Sequence, residues 1–178
     1  MSLDLSSEEV VDLLGLEPNA TCGFVRNTYA SALSFRADAL PEPFARSGPA
    51  GSALYFLVTP NAPVRLHRIR NDQLYHYYLG DPLELFMLRG DGSIERAVVG
   101  PDLRAGQRVQ LLIPGDTFHT ARLLGSGRWF LGGSTEWPGV VPQDVEIGDL
   151  DGLATKYPDA APEIRAIAAS VREVPTPP

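Results

Sequence analysis

A single cysteine, Cys22, stands in a chain of 178 residues. One thiol rules out an internal disulfide and agrees with a reducing compartment, and nothing around it marks it as reactive. Basic charge is also scarce: 15 Lys and Arg against 22 Asp and Glu leave a formal charge of −7. That balance argues against a general phosphate-backbone binder, whose affinity comes from clustered cations. No apolar run reaches the roughly 18 residues that a membrane helix needs. The opening MSLDLSSEEVVDLLG is acidic and has no basic segment ahead of an apolar one, so it does not read as a secretory signal. Together these absences predict a cytoplasmic protein with neither nucleic acid nor membrane among its partners. A Gly-rich phosphate loop, a nucleophile elbow, a Cys-pair zinc motif and an internal repeat are missing too.

What is present reads as one domain over 1–178, long enough for a proper core. Ser6 and Glu9 have capping-box spacing ahead of Val10, Val11, Leu13 and Leu14, and Gly15 can end the helix, which predicts a short helix over 6–15. CGFVRNTYASALSF is aromatic and β-branched and reads as a strand, whereas RADALPEPFARSGPAG has three prolines, two glycines and little pattern and reads as a loop. From Ser52 onward, short extended runs alternate with turn residues: SALYFLVTP, PVRLHRIR, QLYHYYLG, LELFMLR, SIERAVVG, RVQLLIP, TFHTARLL, RWFLGGST and DVEIG. Asp91-Gly92 marks a tight hairpin among them. This texture predicts an all-β core over about 21–148, antiparallel and closed as a sandwich or barrel. A helical tail over about 150–173, broken near Pro158 and Pro162, follows it, and the final VPTPP reads as frayed.

The histidines carry the sharper pattern. His67-x-Ile69-x3-Gln73-x6-Gly80 is followed, much later, by Pro114-x-Asp116-x2-His119. These runs resemble the two motifs of the cupin superfamily, in which the first reads His-x-His, then Glu four residues on, then Gly, and the second reads Pro-x-Gly-x2-His. Here Ile69, Gln73 and Asp116 stand in place of the second histidine, the glutamate and the glycine. Over roughly residues 21 to 158, the blocks GFVRNTYAS, ALYFLVTP, LHRIRNDQLYHYYLGDPLELFML, DGSIERAVVGPDLRAGQRVQLLIPGDTFHTARL and DVEIGDLDGLATKYP are similar, in order, to the Cupin_5 (DUF985) family. Members of that family usually carry Glu at the position of Gln73, Trp at that of Tyr75, and a bulky or aliphatic residue near His119. The resemblance implies a double-stranded β-helix, a jelly-roll barrel with short flanking helices, paired as a homodimer and holding a pocket inside the barrel.

Strand alternation puts His67 on one face with Arg65 and Ile69, and Gln73 on one face with Tyr75 and Tyr77. Aligned on the motifs, that face is the barrel interior, where His67 and His119 are the candidate catalytic residues and Gln73, Tyr75 and Tyr77 line the substrate site. Arg26 and Tyr55 are placed as further substrate contacts at the barrel mouth, where the strand of Tyr29 can also lie, Arg26 otherwise pairing with Asp72 or Asp81. His76 falls on the opposite face, as an outer-face or interface contact, and Asp81-Pro82 reads as a turn whose carboxylate caps local backbone. If a metal is held, His67, Gln73 and His119 are its ligands, yet an amide in place of a carboxylate and Ile69 in place of a histidine weaken any such site. The reading is therefore no cofactor, with room only for a weakly held divalent metal. Near-neutral imidazoles suit proton transfer, so the expected function is binding of a small organic ligand with metal-free acid/base chemistry of the isomerase, epimerase, cyclase or lyase type. Two alternatives stand beside it: a metal-dependent cupin enzyme and a non-catalytic metabolite-binding protein.

Overall fold

The computed structural model describes residues 5–44 and 46–172. In it the N-terminal capping box closes as the spacing predicts. Ser6 Oγ accepts from the Glu9 amide at 3.2 Å, and Glu9 Oε2 accepts from the Ser6 amide at 2.7 Å. Helix α1 (Ser7–Leu14) then ends at Gly15, whose φ of 58° is the left-handed conformation that glycine adopts without a Cβ penalty.

Thirteen strands follow: β1 (Glu17–Pro18), β2 (Phe24–Ala30), β3 (Ser34–Phe35), β4 (Gly48–Pro49), β5 (Ser52–Val58), β6 (Val64–Ile69), β7 (Asp72–Gly80), β8 (Leu83–Leu88), β9 (Ile94–Val99), β10 (Gln110–Ile113), β11 (Phe118–Leu123), β12 (Phe130–Trp137) and β13 (Val145–Ile147). They form a six-stranded sheet in the order β1-β2-β5-β12-β7-β10, a five-stranded sheet in the order β13-β6-β11-β8-β9, and the small β3-β4 pair. All pairings within these sheets are antiparallel. The connectivity is the double-stranded β-helix, an all-β jelly roll with short flanking helices. The run read as one N-terminal strand splits into β2 and β3, because β2 leaves the sheet after Ala30. The loop after it contributes β4.

Between the sheets lies a core of Phe56, Val58, Val64, Tyr75, Leu83, Leu85, Met87, Val99, Leu111, Ile113 and Phe130. The outer faces are covered as well. Val10 and Leu16 pack on Leu57 and Leu131 of the six-stranded sheet and on Trp129 just before β12. On the other sheet, α2 (Leu150–Lys156) and α3 (Ala161–Arg172) bring Leu153, Ala154, Tyr157 and Ile164 onto Leu66, Phe86, Leu88 and Phe118. Burial on two faces explains why β8 reads as the nearly unbroken apolar run LELFML. The helical tail breaks at Tyr157–Ala160, a 3-10 turn over Pro158–Ala160, and not at Pro162. Pro162 sits in the first turn of α3, where its missing N–H costs no hydrogen bond. Glu173 and the VPTPP tail lie outside the described residues.

Candidate functional site

Strands β6 and β11 pair so that His67 and His119 are directly opposite. Both point into the interior with no exposed surface, and their ring centroids are 4.3 Å apart. The Nδ1 of His67 lies 2.7 Å from the Arg65 carbonyl, and that of His119 lies 3.0 Å from the Thr117 carbonyl. A carbonyl only accepts, so each Nδ1 carries the hydrogen and each Nε2 presents a lone pair. The Tyr75 hydroxyl donates to His119 Nε2 at 3.3 Å. His67 Nε2, equally buried, has no hydrogen-bond partner among the described residues. Gln73 and Tyr75 lie on the same face of β7, 3% and 1% exposed, so His67, Gln73, Tyr75 and His119 converge on one interior.

Burial pushes the His67 imidazole down to about 4, and it pushes His119 down to about 3 with the help of the His67 charge. Both rings are neutral at pH 7, and the near-neutral titration expected from the sequence gives way to a strongly depressed one. Burial likewise raises the Tyr75 phenol far above its usual range and the Cys22 thiol to about 11. Cys22 is a core residue, its sulfur 4.0 Å from the Tyr75 hydroxyl.

Three expected placements fail, that of Arg65 by alternation and those of Tyr55 and Arg26 at the barrel mouth. Arg65 is exposed instead of sharing the interior with His67, because β6 carries a bulge: His119 opposes His67 but Ala121 opposes Val64, so Arg65 and Leu66 together face Thr120. Tyr55 packs on the outer side of the six-stranded sheet, edge-on to Tyr78 at 5.8 Å, while its neighbours Leu54 and Phe56 point inward. Arg26 is on that outer side too. It pairs with neither Asp72 nor Asp81 and donates from Nη1 to the Leu14 carbonyl at 2.8 Å, capping α1. Tyr77 does face inward against Phe130, although its hydroxyl is spent on the Gly80 carbonyl at 2.8 Å. His76 sits on the outer face, bonded to Thr135 and Gln110 at 2.9 and 3.2 Å. The Asp81 carboxylate binds Ser126 Oγ and the Arg128 amide, both at 2.7 Å, so it anchors a distant loop.

A residue that the motifs do not contain completes the interior. Glu136 of β12 is the Cα partner of both Gln73 and Ser52 and is 1% exposed. Its carboxylate accepts from Ser134 Oγ at 2.5 Å and Ser52 Oγ at 2.6 Å. Burial raises its affinity for a proton, and the two serine hydrogen bonds oppose that rise. The signal in the sequence was a lone acid in the alternating run STEW, set two residues after Ser134 on the same face. A groove of about 650 Å³ lies elsewhere, lined by Val58, Pro60, Phe86, Arg96, Arg122 and Leu123 among others, and it includes none of the seven predicted site residues.

The model of the Cupin_5 family, described as Cupin superfamily (DUF985), matches residues 8–148. The chain belongs to this cupin family. Among solved structures it is similar to a hypothetical protein from Leishmania major, 24% identical over 91% of this chain and 98% of that one, with a TM-score of 0.83. It is also similar to protein SO0799 from Shewanella oneidensis, 25% identical over 98% and 99% of the two chains, with a TM-score of 0.78. A cupin-2 domain protein of Rhodospirillum rubrum shares the fold at 14% identity over 90% of each chain, with a TM-score of 0.53. No curated protein matches the chain.

The departures from the cupin motifs can now be read physically. Asp116 occupies the glycine position with φ 57°, and it is the sole non-glycine residue at positive φ among the described residues. Asp tolerates that region better than most side chains. The turn is held from the first motif, since the Gly115 amide donates to Asp72 Oδ1 at 2.7 Å and the Asp116 amide to the Ile69 carbonyl at 2.8 Å. The backbone of both motifs therefore survives the substitutions, whereas the donor set does not. Among the described residues no three His, Cys, Asp or Glu are grouped so as to hold a metal ion. Ile69 offers hydrocarbon, Gln73 a neutral amide, and Glu136 is turned to its two serines. Two imidazoles alone do not fit a tightly held catalytic metal.

Proposed function

We propose that this cupin binds a small organic molecule in the barrel interior and handles its protons without a metal, in chemistry of the isomerase, epimerase, cyclase or lyase type. The observation that carries the reading is His67 Nε2, a lone pair with no partner among the described residues, buried and held in one tautomer by the Arg65 carbonyl. Buried polar atoms are normally hydrogen-bonded, and a ligand hydroxyl or amine would satisfy this one. Next to it, Tyr75 and His119 form a donor–acceptor pair through which a proton can pass. The depressed basicity of both imidazoles favours a second reading, retention of a metabolite without turnover.

Native mass spectrometry of the purified protein, beside His67→Phe, tests the proposal. An organic mass bound to the wild type and lost in the variant is the expected result. Near-stoichiometric iron, manganese or zinc that survives dialysis against chelator would replace this reading with the metal-dependent one. Once the ligand is known, incubation in deuterated water separates turnover, which exchanges hydrogen at carbon, from retention, which does not. We also propose a homodimer: Asn27–Ala30 of β2 pair with β5 on one side, while β1 reaches only Phe24 and Val25 on the other, so a strand edge stays open among the described residues. Light scattering at about twice the chain mass supports this, and a clean monomer refutes it.

A further inference from the structure

Glu136 is a carboxylate at the middle of a six-stranded sheet, on its inward side, with no cation beside it. None of the seven ion pairs among the described residues includes it. Its donors are two neutral hydroxyls, Ser52 and Ser134, whereas a carboxylate has about four acceptor sites. Removing an unpaired charge from water is penalised, and a glutamine of the same shape would escape that penalty. An ionisable group kept at such a position is what a binding site requires and what a core does not.

The surrounding groups have the same character. His67 Nε2 and His119 Nε2 are acceptors, and their burial disfavours the imidazolium form that would make them cationic. The Glu136 charge reaches the Tyr75 hydroxyl, raising its affinity for its proton. Arg68 is engaged with Glu146 at 2.6 Å and Asp116 at 3.9 Å, Arg46 with the buried Asp144, and Arg65, whose charge bears on His67, is exposed and donates from Nη1 to the Ala20 carbonyl at 3.5 Å. The interior thus offers lone pairs and one anionic group, and no guanidinium or ammonium among the described residues is bonded to Glu136 or to the Nε2 of His67 or His119.

Resting on the reading of the interior as a small-molecule site, we infer that Glu136 sets the charge class of the ligand. The site accepts a neutral or cationic hydrogen-bond donor, a polyhydroxylated compound or an amine, and rejects carboxylates and phosphates. Glu136 receives the ammonium or hydroxyl, and His67 Nε2 accepts a second donor hydrogen. Gln73, directly across the strand pair, offers an amide that serves either partner.

Three probes of similar size, ethanolammonium, glycerol and glycolate, test the inference. The readout is the imidazole ¹⁵N resonances, which only three histidines contribute, two of them, His67 and His119, inside the barrel. Ethanolammonium and glycerol are expected to move the His67 Nε2 resonance, with glycolate inert. Glu136→Gln should weaken ethanolammonium about tenfold or more while glycerol is little changed. Glycolate binding as tightly as ethanolammonium, or an ethanolammonium affinity unmoved by Glu136→Gln, overturns the inference and leaves the small-molecule reading standing. If none of the three moves a histidine resonance, that reading falls and takes the inference with it. The wild-type ranking needs no variant, so poor folding of Glu136→Gln leaves the test intact, and Arg26→Ala, on the outer face, is the neutral control.

Discussion

The two ends of the barrel interior share strands β5, β7 and β12 and could hardly differ more. Val58 and Gly80 flank Phe130 at one end of β12, and Ser52 and Gln73 flank Glu136 at the other. Six residues, about 20 Å of strand, separate an end filled by Phe56, Val58, Leu83, Val99 and Phe130 from one holding His67, Gln73, His119, Ser134 and Glu136. The apolar end returns free energy on folding and the polar end consumes it. A fold that tolerates such a division has its stability and its chemistry in separate places, and each can be altered while the other is watched.

The largest effect is expected at the apolar end. Phe130 has no exposed surface and packs on Phe56 and Tyr77 at centroid distances of 5.4 and 6.0 Å. Phe130→Ala should cost about 3–5 kcal/mol, measured as the loss in urea unfolding free energy, with the histidine ¹⁵N resonances unchanged. A loss under about 1 kcal/mol would mean that this end is not the stabilising one.

Acid is the probe for the polar end. The His67 imidazole falls from its ordinary 6.5 to about 4 and His119 to about 3 on folding, so the unfolded chain binds protons more readily than the folded one. Their contribution is fully present above pH 6.5 and is lost as the pH falls toward 4 and then 3. For His67 alone this corresponds to about 3 kcal/mol. Glu136 works in the opposite sense: its raised affinity for a proton is a cost at neutral pH that is relieved on acidification. Urea midpoints across pH 7 to 4 should therefore drop steeply in the wild type. The drop should nearly vanish in the His67→Leu/His119→Leu double variant, and an equal drop there would assign acid sensitivity to other groups.

Smaller still is the effect of removing the buried charge. Glu136→Gln keeps the volume and discards the ionic penalty, so at pH 7 it should stabilise the fold by about 1 kcal/mol, a gain that shrinks as the pH falls and Glu136 takes up its proton. A variant less stable than the wild type at pH 7 would mean that the serine hydrogen bonds, not the charge, dominate that position.

Legibility followed the reach of each signal. Local chemistry read cleanly: the Ser6/Glu9 box, the Gly15 stop and the Asp91-Gly92 hairpin, where Gly92 takes φ 89° and the Asp91 carboxylate binds the Ser93 amide and hydroxyl. The histidine spacings, through the family resemblance, placed His67 and His119 on one interior, where the structure pairs them directly. What failed was the phase of alternation, since one extra residue at Arg65–Leu66 reverses the face and no local pattern announces a bulge. Glu136 escaped because its meaning comes from two partners 84 and 63 residues away, Ser52 and Gln73, which only the sheet order brings to it.

The smallest expected effect tests the boundary between inside and outside. Arg26 looked like a ligand-binding cation because its strand runs along the barrel, yet Val25 takes the inward place and Arg26 turns out to the end of α1. There its guanidinium donates to the Leu14 carbonyl, one of the helix's last unsatisfied acceptors, at 2.8 Å. In an exposed position that bond is worth about 0.5 kcal/mol, so Arg26→Ala should lower the unfolding free energy by roughly that amount. The charge it removes lies behind the sheet, shielded by solvent on its own side, and the probe ranking at His67 Nε2 should stay as in the wild type. If Arg26→Ala instead let glycolate in or excluded ethanolammonium, the outer face would be coupled to the interior, and the separation of the two sides of the six-stranded sheet would have to be given up.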